Sequence, residues 1–131
     1  MPANQIPIYV VTPRIGAVSI ATANANRDGT GTIGTVFTAG SNGSRITKIR
    51  IKAAVTTTAG TIRLYIYDGS TYFLWMEILV TAITASAIVA AFEDETYLPG
   101  EKALVLPSGY SLRASTEKAE TFKVIAEGGD Y

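Results

Sequence analysis

Three consecutive acidic residues, Glu93-Asp94-Glu95, are the densest group in this sequence that could do chemistry. Neighbouring residues of a strand point to opposite faces, so only Glu93 and Glu95 could act together. Two such carboxylates could serve as the acid and base of glycoside hydrolysis, or as oxygen ligands for calcium. Both would lie on the solvent face of the strand predicted here, and we expect a solvated acidic rim rather than a catalytic or metal site.

Other reaction chemistries lack the residues that they need. The chain of 131 residues has no histidine and no cysteine. This removes Ser–His–Asp and Cys–His arrangements, thiol chemistry, disulfides and the usual zinc ligands. There is no G-x-x-x-x-G-K-[ST] phosphate loop and no G-x-G-x-x-G motif before a helix. We therefore predict a protein that is not an enzyme and that uses no cofactor or metal.

Basic and aromatic residues alternate with apolar ones in two successive segments, residues 49–55 and 61–67. This period of two predicts a hairpin, closed by residues 56–59, in which Ile51 faces Leu64. The same register pairs Ala53 with Ile62 and Ile49 with Ile66, and the other face carries Lys48, Arg50, Lys52, Arg63, Tyr65 and Tyr67. That outer face is either a plain solvated surface or a docking surface for an acidic protein patch. Single-stranded nucleic acid could use the same cations and rings, but the formal net charge is zero.

The aromatic residues Tyr72, Phe73 and Trp75 follow the turn Asp68-Gly69-Ser70 on a strongly apolar strand. They could form a platform for carbohydrate. An apolar strand with a single tryptophan more often belongs to a core, so we predict that Trp75 is buried.

The first 16 residues contain three of the five prolines, Pro2, Pro7 and Pro13. Proline cannot donate to a strand ladder and favours extended geometry in the residue before it. We predict an extended N-terminal arm over residues 1–16, with one short edge strand near residues 8–11. The arm is either a frayed terminus or a segment that packs on a neighbouring subunit through Ile6, Ile8, Tyr9 and Arg14. Residues 1–7 lack the features of a secretory signal, and no stretch has the ~20 apolar residues of a membrane span.

From residue 17 onward, short β-type segments alternate with turn sequences about every ten residues. We predict strands at 17–22, 32–38, 49–55, 61–67, 72–80, 87–95, 102–106, 110–115 and 121–126. Residues 81–92 are rich in alanine and could instead form a short helix; we favour a turn near 84–86. The pattern predicts one all-β domain over residues 17–131, an antiparallel β-sandwich of jelly-roll type with eight to nine strands.

Several segments resemble small virion proteins encoded among the structural genes of tailed bacteriophages. They are residues 43–49, the turn 56–60, and Arg63-Leu-Tyr-Ile-Tyr-Asp-Gly69. Leu104-Val-Leu-Pro-Ser-Gly-Tyr-Ser-Leu-Arg-Ala-Ser-Thr116 and residues 119–124 add to the likeness, which covers roughly residues 32–127. The resemblance implies a capsid decoration or cement protein on the head surface of the virion. Such a protein would assemble in the bacterial cytoplasm and bind the major capsid protein and further copies of itself. A glycan- or receptor-binding module of a tail or fibre is the alternative.

Overall fold

The computed structural model describes residues 10–131, which fold into two antiparallel sheets packed face to face. The nine strands of this region are β1 Thr12–Ile20, β2 Gly34–Thr38, β3 Ser44–Ala53, β4 Gly60–Tyr67, β5 Tyr72–Val80, β6 Glu93–Tyr97, β7 Leu104–Leu106, β8 Ser111–Thr116 and β9 Phe122–Asp130. A single 3₁₀ turn at Gly100–Lys102 is the one helical element among them. No helix of the described region is long and apolar enough to cross a membrane.

The strand pairing is that of a jelly roll, as the turn spacing predicts. Sheet A has the order β1-β9-β3-β6, with β7 also paired to β3, and sheet B has the order β2-β8-β4-β5. The pairs β1·β9, β2·β8, β3·β6 and β4·β5 are those of one long antiparallel hairpin. Rolling that hairpin up adds the pairs β3·β9 and β4·β8.

The core lies between the two sheets and is built from the apolar positions of the alternating strands. Sheet A contributes Ile46, Ile49, Ile51, Phe122 and Val124, and sheet B contributes Phe37, Ile62, Leu64, Ile78 and Leu112, all buried. Trp75, predicted to be buried, is half-buried and packs against this core from the edge of β5. Each of these side chains removes apolar area from water at roughly 25 cal/mol per Å², which is the main stabilising contribution.

The predicted hairpin between residues 49–55 and 61–67 is wrong in its pairing, although its apolar face is right. Strand β3 lies in sheet A and β4 in sheet B, so Ile51 and Leu64 enter the core from opposite sheets rather than lying side by side. Strand β3 pairs instead with β6 on one side and β9 on the other. Alternation fixes which residues face inward, but both arrangements bury the same residues.

Several predicted boundaries also differ from the structure. Residues 12–16, assigned to the arm, belong to β1, whose Thr12 lies opposite Asp130. The strand predicted at 87–95 begins only at Glu93. Before it, the chain forms a turn at residues 86–89, where Ser86 N donates to Val89 O at 2.9 Å. The Ser86 hydroxyl oxygen also accepts hydrogen bonds from Ile88 N and Val89 N. These local bonds satisfy backbone groups that would otherwise pair with a neighbouring strand, so residues 86–89 form a turn instead of a strand.

Candidate interaction surfaces

Three basic residues of β3, Lys48, Arg50 and Lys52, lie on the outer face of sheet A, and each has an acidic partner. We call the set Lys48, Arg50, Lys52, Glu93, Glu95 and Glu127 the ion-pair face. Arg50 Nη2 lies 2.9 Å from Glu93 Oε2, and its Nη1 binds Glu95 Oε1. Lys52 Nζ lies 3.4 Å from Glu93 Oε1, and Lys48 Nζ lies 3.6 Å from Glu127 Oε2.

The acids Glu93 and Glu95 lie on the solvent side of β6, as predicted. Their register places Glu95 opposite Arg50 and Glu93 opposite Lys52. Together with Glu127 on β9, these two carboxylates balance Lys48, Arg50 and Lys52, so the ion-pair face sums to no formal charge. The cationic docking surface predicted for Lys48, Arg50 and Lys52 is thus a mixed-charge face whose charges are paired within the chain. Among residues 10–131 no group of three acidic side chains is placed to hold a metal ion.

The prediction that Arg63, Tyr65 and Tyr67 share this exposed face is wrong. They lie on the outer face of sheet B, where Arg63 and Tyr65 are buried and Tyr67 is half-buried. Residues 21–33, which we call the covering loop, run across that face between β1 and β2. Arg63 Nη1 donates to Asn24 O at 3.2 Å, and Tyr65 Oη donates to Asn26 O at 2.9 Å.

The covering loop is held by its own polar residues as well as by the sheet. Asn24 is buried, and its Nδ2 donates to Thr30 O at 2.9 Å and Thr32 O at 3.0 Å. Arg27 Nε lies 3.1 Å from Glu77 Oε2 on β5. Gly29 has φ +87°, and a side chain there would meet the Cβ of Tyr72 at 2.5 Å. The loop thus fits closely on sheet B because glycine lets its backbone approach the ring.

An aromatic group remains half-exposed beside the covering loop. The rings of Tyr67 and Tyr72 lie with centroids 4.2 Å apart, and the guanidinium carbon of Arg113 lies 4.5 Å from the Tyr67 centroid. Tyr65 meets Tyr72 edge to face at 5.9 Å. These contacts occupy faces of the aromatic rings on which a sugar would otherwise stack.

Of the four interface residues predicted on the arm, Arg14 is the one inside the described region. Its Nη1 donates to Asp130 Oδ1 at 2.8 Å and to Thr38 O at 2.9 Å, and its guanidinium carbon lies 4.4 Å from the centre of the Phe37 ring. Arg14 therefore joins β1 to β2 and β9. Hydrogen bonds from Ser44 and Arg14, together with the positive charge of Arg14, lower the pKa of the Asp130 carboxyl. Ile6, Ile8 and Tyr9 lie outside the described residues.

Exposed apolar residues form surfaces that the sequence analysis did not identify. On β5, which pairs with β4 alone among the described strands, Phe73, Leu74 and Leu79 are 52%, 38% and 76% exposed. In the turn that follows, Ile88 is 95% exposed and Val89 45%. The absence of charged residues from Ile78 to Phe92 could have indicated these apolar surfaces. Which side of β5 stays unpaired depends on sheet order, which the sequence does not show.

Neither the comparison with protein families nor that with curated proteins gives a match for this chain.

Proposed function

We propose that this chain is a structural protein of a tailed-phage virion, a decoration or cement protein that binds the head shell and stabilises it. Its partners would be the major capsid protein and neighbouring copies of itself, at the capsid surface, after assembly in the bacterial cytoplasm. It would act without catalysis, cofactor or membrane contact. The resemblance of residues 32–127 to virion proteins suggests this role, and the unpaired edge of β5 is the observation that supports it best.

Apart from a bulge at Trp75, where the β4·β5 register shifts, the β5 edge lacks the devices that keep a monomer's strand edge from pairing. Such edges usually carry lysines, prolines or inward charges. Strand β5 has nine residues, no proline, and Glu77 as its one charge, and Glu77 is already bound by Arg27 and lies 3.5 Å from Arg63. A long, neutral, apolar edge is suited to be covered by another protein, because burying it removes apolar area without leaving a charge unpaired.

The rest of the body suits a part that must resist deformation. Both sheets are antiparallel, the core is continuous between them, and the ion-pair face links β3, β6 and β9. Double-sheet jelly rolls occur in viral capsid proteins, but also in lectins, so the fold permits both candidate functions without choosing between them. Nucleic acid is a poor partner, since the glutamates of the ion-pair face neutralise Lys48, Arg50 and Lys52.

Co-sedimentation with empty capsid shells tests the proposal. The wild-type chain should pellet with shells of its phage at a fixed copy number, and shells carrying it should withstand more heat. Leu79→Lys should weaken attachment roughly tenfold, because it places a charge on the β5 edge. Val105→Lys on β7 is the matched control, since Val105 is 54% exposed but lies on sheet A. A wild-type chain that stays in the supernatant contradicts the proposed function.

One alternative, a carbohydrate- or receptor-binding module of a tail or fibre, rests on the half-exposed Tyr67 and Tyr72, although these rings already contact each other and Arg113. Trp75 lies on β5 near Tyr72 and offers an optical signal. On the alternative, added glycans shift the tryptophan emission, and Tyr72→Ala abolishes the shift. On the proposed function, the emission is insensitive to glycans in both proteins.

A further inference from the structure

An uncharged, ordered tip projects from one end of the sandwich. We call residues 85–90, Ala-Ser-Ala-Ile-Val-Ala, the apolar tip. Its turn is closed by backbone hydrogen bonds in both directions between Ser86 and Val89, at 2.9 and 3.4 Å. The chain therefore presents Ile88 and Val89 to solvent from a formed turn, so burying them against a partner does not require the backbone to be ordered first.

The base of the apolar tip is fastened to the body. Thr57 and Ile83 exchange backbone hydrogen bonds of 3.0 and 3.2 Å, and Ala85 N donates to Thr56 Oγ1 at 3.0 Å. Lys52 Nζ donates to Ala91 O at 2.9 Å on the other side. The tip thus projects beside the end of sheet A where Ala53 lies opposite Phe122.

A groove of about 560 Å³ lies towards the opposite end of sheet A, lined by Pro13, Arg14, Ile15, Thr47, Glu127 and Gly128. We call it the end groove. It forms where the β3·β9 register shifts between Ile46 and Lys48. Gly128 is required there, because a Cβ on it would come within 1.8 Å of Arg45 O. Phe122 and Gly128 are six residues apart on β9, which separates the two ends by roughly 20 Å.

Like the apolar tip, the end groove presents exposed apolar side chains. Ile15 is 70% exposed and Pro13 is exposed beside it. The two charged residues of the lining already have partners, Arg14 with Asp130 and Glu127 with Lys48. An uncharged tip can therefore enter without leaving a charge unpaired.

We propose that the apolar tip of one copy inserts into the end groove of the next, forming a head-to-tail interface between identical chains. Because tip and groove are different surfaces at opposite ends, this contact is heterologous, and it closes into a ring or continues as a filament. The biological role of such a ring rests on the proposed function, in which neighbouring copies bridge capsid subunits. The interface itself leaves the β5 edge available for the capsid.

Two variants that each remove one half of the interface test this inference. Ile88→Asp places a charge on the apolar tip and leaves the end groove intact. Ile15→Asp places a charge in the end groove and leaves the apolar tip intact. Sedimentation velocity should show wild-type oligomers, and each variant alone should self-associate at least roughly tenfold more weakly. An equimolar mixture of the two should form a one-to-one dimer and nothing larger, because only one intact tip and one intact groove can meet.

Val105→Asp is the control variant and should assemble like the wild type. Both target residues are exposed, so folding should survive; Ile88→Ser and Ile15→Ser replace the pair if circular dichroism shows otherwise. A wild-type chain that is monomeric at about 100 μM, or an equimolar mixture that stays monomeric, overturns the inference. So do variants that assemble like the wild type. A monomer that still pellets with capsid shells would refute this interface while leaving the proposed function standing.

Discussion

The outer faces of the two sheets carry similar residues but have different surroundings. On sheet A, Lys48, Arg50 and Lys52 stay near solvent and are paired with glutamates of the adjacent strands. On sheet B, Arg63 and Tyr65 project from β4 in the same alternating pattern but are buried under the covering loop. The difference shows that alternation decides to which side of the sheet a side chain points. Whether that side is exposed to solvent depends on segments distant in sequence, such as the covering loop.

The largest expected effect comes from removing the buried cation of sheet B. Arg63→Ala leaves Asn24 O without its donor and opens space beneath the covering loop, which should lower the free energy of unfolding by about 2–3 kcal/mol. The matched control is Arg27→Ala, which removes the other arginine that contacts Glu77 but whose side chain is 62% exposed. It should cost at most about 1 kcal/mol. Urea unfolding measures both, and equal losses would contradict the contrast drawn between the two faces.

A smaller loss is expected on the ion-pair face. Arg50→Glu replaces two attractive pairs by repulsion from Glu93 and Glu95, and should cost about 1–2 kcal/mol because the site is partly exposed. The cost should shrink in 1 M NaCl, where the Debye length is about 3 Å, whereas that of Arg63→Ala should not. The double variant Arg50→Glu/Glu95→Arg should recover part of the loss. A cost independent of salt would show that Arg50 acts through packing instead.

The smallest expected effect is a pH dependence at the side of the sandwich where β1 meets β2. The pKa of Asp130 is lowered by hydrogen bonds from Ser44 and Arg14 and by the charge of Arg14. A carboxyl with a lowered folded pKa contributes stability above its unfolded pKa of about 4, and loses it as pH falls through the folded value. The melting temperature should therefore fall between pH 5 and pH 2.

Asp130→Asn should be less stable than the wild type at pH 7, and its melting temperature should fall less on acidification. The pKa of Asp68 is also lowered, first by the backbone N–H of Thr71 and then by that of Ser70. Asp68→Asn, at a turn remote from Arg14, should therefore also reduce the fall on acidification, and its effect should add to that of Asp130→Asn. Parallel melting curves for Asp130→Asn and the wild type across this range would show that the Arg14–Asp130 contact is not coupled to folding.

The parts of the fold that could be predicted are those that depend on residues close together in sequence. The strand 72–80 was predicted with the bounds that β5 has, because an apolar run follows the Asp68-Gly69-Ser70 turn. Asp68 Oδ1 accepts from the backbone N–H of Ser70 and Thr71 there. The strand that pairs with β3 could not be predicted, because Ile49 and Ile51 are buried equally well whether β4 lies beside β3 in the same sheet or in the facing sheet. The burial of Arg63 depends on Asn24, 39 residues away, and no local pattern reports that contact.

The order of strands in the sheets sets when this chain can fold. Strand β9 separates β1 from β3, and β8 separates β2 from β4, so both sheets stay open until residues 111–130 have left the ribosome. Until then, Ile49, Ile51 and Ile62 cannot be enclosed between completed sheets. Long-range pairing of this kind slows folding and exposes sticky intermediates. Chaperone supply and the pace of translation through the codons for residues 111–130 should therefore govern how much functional protein a cell obtains.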